Sequence, residues 1–148
     1  MDNIMKTEFS AIAENEAFAR AVAAAFVMPL DPTVEELTEI KTAVSEAVSN
    51  SIIHGYGNRG GLSDAKVTME CTVSPEGKVV IVIEDRGVGI EDVEKAMEPL
   101  FSTGNSEERS GMGFTVMESF MDRLKVRSEK GRGTTVIMTK YLDIVSGI

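Results

Sequence analysis

The chain contains no tryptophan, one cysteine, one histidine and four prolines. A single cysteine excludes a disulfide framework, and one cysteine with one histidine excludes a zinc site built from those residue types. Cys71 falls in a strand-like run and reads as a small core residue. Basic residues are also few: 15 Lys and Arg stand against 24 Asp and Glu, a formal charge of -9. Holding nucleic acid by neutralising phosphates takes a basic surface, so no direct nucleic-acid partner is expected. Long apolar runs are missing as well. The longest uncharged one, Ala21–Leu30, includes Pro29 and falls well short of the ~20 residues of a spanning helix, so no membrane partner is expected. Residues 1–6 (MDNIMK) lack the basic-then-apolar order of a secretory leader, which points to a cytoplasmic protein.

What is present suffices for one domain over residues 1–148. Its 43% hydrophobic and 26% charged residues are globular values. At this length a compact domain buries about two-thirds of its unfolded surface. There are no internal repeats or Pro/Ser-rich linkers. Residues 4–12 alternate loosely and read as an edge strand; residues 14–28 are Ala-rich and read as a helix. Thr33 with Glu36 forms a capping box that opens a long helix to about His54, with Val34, Leu37, Ile40, Val44, Val48 and Ile52 at helical spacing. Residues 65–74 and 78–84 read as a hairpin turning at Ser74-Pro75-Glu76-Gly77. A short helical piece over 91–98 follows, then a helix from Phe114 to Met121 and a last hairpin over 124–130 and 134–142. Helices on one face of a mostly antiparallel sheet give an α+β two-layer sandwich.

Four segments depart from what a plain core requires. In Glu46-Ala47-Val48-Ser49-Asn50 the carboxylate and the carboxamide lie i, i+4 on one helical face. An amide oxygen can ligate Mg²⁺, and a carboxylate can take a proton from an attacking hydroxyl. Glu84-Asp85-Arg86-Gly87-Val88-Gly89 places an acid at a strand end beside two glycines, through which a planar ligand can approach closely. It is no dinucleotide fingerprint, because Asp92 occupies the third glycine position. Gly111-Met112-Gly113-Phe114 is expected to open a helix whose free N–H groups suit phosphate. Gly131-Arg132-Gly133-Thr134-Thr135 marks the last hairpin. Each has an ordinary alternative: a solvated helix face, a turn leaving a strand, a flexible entry turn, a glycine hairpin.

In combination and in this order, E-x-x-x-N, D-x-G-x-G, a polar stretch, G-x-G and G-x-G-T resemble the GHKL (Bergerat-fold) ATPase and kinase superfamily over roughly residues 33–140. Histidine kinases carry a phosphoacceptor histidine on a separate helix, whereas the one histidine here, His54, ends the motif helix. Ser49–Tyr56, Glu84–Gly89 and Ser110–Phe114 are most similar to the stand-alone serine kinases that double as anti-sigma factors, of the sporulation sigma F type. Departures are small: Phe114 stands where Leu is common, and Gly55 where Ala is frequent.

The resemblance implies ATP/ADP and Mg²⁺ as cofactors, with Glu46 as general base on a serine hydroxyl and Asn50 on Mg²⁺. It implies Asp85 as acceptor for the adenine amino group, Gly87 and Gly89 shaping that pocket, and Thr134 behind the base. Gly111 and Gly113 lie against the phosphates, and a lid over about 99–113 offers Ser102, Thr103, Gly104 and Arg109. The implied partners are a sporulation sigma factor kept from RNA polymerase and a STAS-type anti-anti-sigma substrate. A homodimer, with residues 1–30 as dimer or partner region, is implied as well. Arg20, the one charge between Glu16 and Asp31, is a candidate partner contact or simply a solubilising charge. A stress-response circuit and a nucleotide-gated binding module without kinase activity remain open alternatives.

Overall fold

The computed structural model describes residues 1–57, 64–98 and 106–144, the side chains of 106–112 excepted. The elements are β1 (Asn3–Ser10), α1 (Glu14–Val27), a 3₁₀ turn (Met28–Leu30), α2 (Val34–Asn50), a π-helical turn (Ser51–Gly55), β2 (Lys66–Val73), β3 (Lys78–Asp85), α3 (Val93–Ala96), α4 (Ser106–Phe120), β4 (Arg123–Glu129) and β5 (Gly133–Tyr141). The strands form one sheet in the order β1-β2-β3-β5-β4, every neighbouring pair antiparallel.

Period-two alternation sends Val67, Met69 and Cys71 of β2 and Val79, Ile81 and Ile83 of β3 to one face, all fully buried. Against them lie Ile40, Val44 and Val48 of α2 and Met117 of α4. Ala19 and Ala23 of α1 are fully buried, so side chains of minimal size let α1 pack closely on its neighbours. The α+β two-layer arrangement is therefore realised, with the paired strands antiparallel throughout. Burial pushes the Cys71 thiol up to about 12, which leaves it an inert core residue.

α2 begins where its capping box directs. Thr33 Oγ1 accepts from the Glu36 N–H at 3.0 Å, and Glu36 Oε1 accepts from the Thr33 N–H at 2.9 Å. The other Glu36 oxygen accepts from the Asp143 N–H at 3.0 Å, tying the helix start to the chain beyond β5. Burial works to raise the Glu36 carboxyl, but the donors from Thr33 and Asp143 hold it below the ordinary glutamate value. At the far side of the layer Lys140 of β5 is buried. Its Nζ donates to the Phe120 carbonyl at the end of α4 and lies 3.1 Å from Glu39 Oε1 of α2.

Two expected boundaries are corrected. The α-helix carrying Glu46 and Asn50 stops at Asn50, and residues 51–55 continue it as a wider π turn rather than regular helix to His54. α4 begins at Ser106 rather than at Phe114 or Thr115. Gly111 and Gly113 each disfavour helix by about 1 kcal/mol relative to Ala. The Glu107-Glu108-Arg109 run before them favours helix, so the glycines fall inside α4 instead of preceding it.

Candidate nucleotide site

Helical periodicity carries Glu46 and Asn50 to the side of α2 that meets α4. The contact is made possible by a missing side chain: a Cβ on Gly113 would stand 3.1 Å from Glu46 Oε2 and 3.1 Å from Asn50 Nδ2. Gly113 therefore has a role in the helix interior, as the place where α4 admits those two polar groups. Asn50 Nδ2 is buried and has no hydrogen-bond partner among the described residues, an arrangement that costs stability unless another group answers it.

One turn further along, the π turn at Ser51–Gly55 meets Asp85 at the end of β3. Asp85 is buried, and its Oδ1 accepts from the Gly87 N–H at 2.9 Å. The Ser51 hydroxyl and the Thr134 N–H donate to the same carboxyl. Burial nevertheless pushes Asp85 above the ordinary aspartate value, because desolvation outweighs those donors.

Main chain surrounds this acid closely. A Cβ on Gly87 would overlap the Gly55 carbonyl, and one on Gly55 would stand 3.0 Å from the Asp85 carboxyl. Gly133 has φ 114° and faces the Asp85 carbonyl, a combination that only glycine satisfies without strain. Gly89 sits against the Glu129 carbonyl. Between this glycine cluster and α4 lies a pocket of about 50 Å³, walled by Ala47, Asn50, Ser51, Asp85, Ile90, Phe114, Thr134 and Val136. It is apolar along most of its wall and includes the Asp85 acceptor and the Asn50 amide, the pattern of a site for a flat, partly apolar ligand.

The structure thus brings Asn50, Asp85, Gly89 and Thr134 to one pocket, with Glu46, Gly87 and Gly113 at its margins. Thr103 and Gly104, like Ser102, lie outside the described residues. Arg109 and Gly111 lie within α4, and their side chains fall outside the description. Arg20 is elsewhere: its Nη1 lies 2.7 Å from Glu16 Oε1 and 3.2 Å from Ser45 Oγ, on the α1–α2 surface.

Three contributors were not anticipated. Ser51 supplies a donor to Asp85. Ser128 Oγ accepts from the Ile90 N–H at 2.7 Å and lies 2.8 Å from Thr134 Oγ1, fixing both pocket residues. Its signal was available, since Leu124, Val126 and Ser128 alternate inward and only the last is polar. Tyr56 Oη donates to the Lys66 carbonyl at 2.6 Å and accepts from the Arg86 N–H at 2.9 Å.

A profile of the histidine kinase-like ATPase domain matches residues 9–140. An anti-sigma F factor from Clostridium beijerinckii is 56% identical over 145 residues, 98% of this chain and 99% of that protein. Another from Clostridium acetobutylicum is 53% identical over 98% of each. Among solved structures, the RsbU and RsbW domains of Rv1364c from Mycobacterium tuberculosis superpose with a TM-score of 0.65 at 18% identity, over 95% of this chain and 32% of that one. That likeness concerns the fold. The chain belongs to the histidine kinase-like ATPases and, among them, to the anti-sigma F factor family.

Proposed function

We propose that this chain is an ATP-dependent protein serine kinase that also sequesters a sigma factor. In this reading it transfers the γ-phosphoryl group of ATP to a serine of a STAS-type anti-anti-sigma protein. The observation that carries the reading is the meeting of Glu46 and Asn50 at Gly113, beside the pocket that Asn50 and Asp85 both line. A base-reading acceptor in the pocket wall and a proton acceptor next to that wall then serve one site.

In this reading Asp85 accepts from the adenine amino group, and Thr134, held by Ser128, backs the ring. Glu46 takes the proton of the incoming serine hydroxyl as it attacks. A hard cation suits the Glu46–Asn50 side. Among the described residues no cluster of three His, Cys, Asp or Glu could hold a metal, whereas Mg²⁺ on nucleotides typically rests on one or two protein oxygens plus phosphates. Asn50 lines the pocket and would hold the ion by its carboxamide oxygen, while its Nδ2, a donor with no partner among the described residues, would be free to meet a phosphate oxygen. Bound there, Mg²⁺ supplies charge neutralisation of the phosphates.

The Gly111–Gly113 stretch and the segment over 99–113, with Thr103, Gly104 and Arg109, are proposed to close on the phosphates. Arg20, already oriented by Glu16, is proposed to contact a partner from the α1–α2 surface. β1, an edge strand paired only with β2, is proposed to contribute to a homodimer. No helix of the described residues is long and apolar enough to cross a membrane.

The test is incubation with γ-labelled ATP, Mg²⁺ and candidate STAS-type proteins, with the label mapped by mass spectrometry. Phosphoserine on the partner is the expected result. Label on His54, or none with any partner, overturns the reading in favour of a histidine-directed or purely nucleotide-gated protein.

A further inference from the structure

The π-helical turn after Asn50 touches the D-x-G-x-G loop at four consecutive positions. The Ser51 hydroxyl donates to the Asp85 carboxyl. The Tyr56 hydroxyl accepts from the Arg86 N–H at 2.9 Å. Gly55 lies so close to Gly87 that a Cβ there would overlap its carbonyl, and that carbonyl accepts from the Val88 N–H at 2.7 Å. The turn is closed by the Tyr56 N–H donating to the Ser51 carbonyl at 3.1 Å, five residues back. Tyr56 is buried, and its hydroxyl also donates to the Lys66 carbonyl at 2.6 Å, so the tyrosine is itself fixed to the start of β2.

A regular α turn would advance these six residues by a different rotation. The donors and acceptors that face residues 85–88 would then point elsewhere. Single π turns inside helices recur at functional sites for this reason. The turn also follows directly on Asn50, one helical turn past Glu46.

We infer that the π turn is a register clamp for base recognition, and that Tyr56 is a positioning residue that sets Asp85 against the base without touching it. The inference rests on the assignment of Asp85 as the acceptor for the adenine amino group. Its mechanism is specific: Tyr56 fixes the Arg86 amide, Arg86 follows Asp85 directly, and Ser51 of the same turn holds the carboxyl. Release of Arg86 would leave the acid present but misaimed, which weakens discrimination by the exocyclic amino group rather than the chemistry of transfer.

Tyr56→Phe removes both hydroxyl hydrogen bonds and retains the buried ring. Steady-state phosphorylation with ATP and with inosine triphosphate, which lacks that amino group, supplies the readout. The KM for ATP is expected to rise about tenfold, the worth of a buried hydrogen bond left unmade. kcat at saturating ATP should change by about twofold or less, and the ATP-over-ITP preference should fall by about the same tenfold. An unchanged preference in a folded variant overturns the clamp.

Asp85→Asn serves as the control. If it abolishes the preference while Tyr56→Phe leaves it intact, the base assignment stands and the clamp falls. If Asp85→Asn itself leaves the preference intact, the base assignment falls and the clamp with it. Should Tyr56→Phe fail to fold, amide exchange in the unaltered protein decides. The Arg86 and Val88 amides should open together with the Tyr56 amide, and exchange of the first two while Tyr56 stays protected overturns the inference.

Discussion

Around Asp85 the pocket is built of main chain. Gly55, Gly87 and Gly133 bring three backbone segments into contact, and the acid receives donors from Gly87, Ser51 and Thr134. Around Glu46 and Asn50 it is built of side chains resting on one glycine of α4, and a buried amide nitrogen has no partner. The first end is complete as it stands, while the second is completed by what binds. Packed main chain gives rigidity because backbone cannot retreat by changing rotamer, whereas flexible side chains can adjust. Preorganisation is thus concentrated at recognition, and adaptability at the reacting end.

Substitutions can break that contrast or sharpen it. The largest effect is expected at the adaptable end. Glu46→Gln keeps size and packing but removes the proton acceptor, so phosphoryl transfer should fall by roughly 10²–10⁴-fold with ATP affinity preserved. Single-turnover transfer beside calorimetric titration separates the two, and undiminished transfer would show that Glu46 is no base. Gly87→Ala comes next. Its Cβ would collide with the Gly55 carbonyl, and the expected loss is about 3 kcal/mol of unfolding free energy with ATP binding impaired, read by urea denaturation.

Gly113→Ala, on the other side of the contrast, meets only the ends of two movable side chains. Stability should hold or rise by up to ~1 kcal/mol from helix propensity, while transfer falls about tenfold as Glu46 and Asn50 are displaced. Thermal unfolding and transfer rate moving in opposite directions would bear this out. A parallel loss of both would place Gly113 in the rigid class.

The smallest effect lies away from the pocket. The Glu36 carboxyl is held below its ordinary value of 4.5 in the folded chain. Its ionised form therefore contributes stability above that value, and the contribution is lost as pH falls through 4.5 and the lower folded value. Glu36→Gln should flatten the acid side of the stability profile by lowering stability slightly at neutral pH and leaving it unchanged near pH 3, in denaturation curves taken between about pH 3 and 7.

Much of the framework could be read from residue order, because it is set by neighbours close in sequence. The Thr33–Glu36 box needs only three residues to be recognised, and both of its hydrogen bonds form. The β2–β3 hairpin turns at Ser74–Gly77 as its composition indicates. The chemistry of the pocket was legible for the same reason: Glu46 and Asn50 declare their shared face by spacing, and Asp85 by its place at a strand end.

What escaped depends on partners far along the chain. Nothing in Ser51–Gly55 distinguishes a π turn from an α turn, since the difference is set by Asp85 to Val88 more than thirty residues later. The start of α4 is hidden because its glycines read as an entry turn, whereas the Glu-Glu-Arg run before them already belongs to the helix. Lys140 lies in a strand with no pattern to foretell burial, and only the joint approach of Glu39 and Phe120 makes its charge tolerable there.

That lysine has a mechanical consequence. It fastens the exit of α4 to the sheet, and Gly113 lies seven residues upstream, about 10 Å along the axis at 1.5 Å per residue. α4 then acts as a lever with its fulcrum at Phe120. A tilt of about 10° there carries the Glu46–Asn50 contact through about 2 Å, a distance comparable to the difference between a made and an unmade proton transfer.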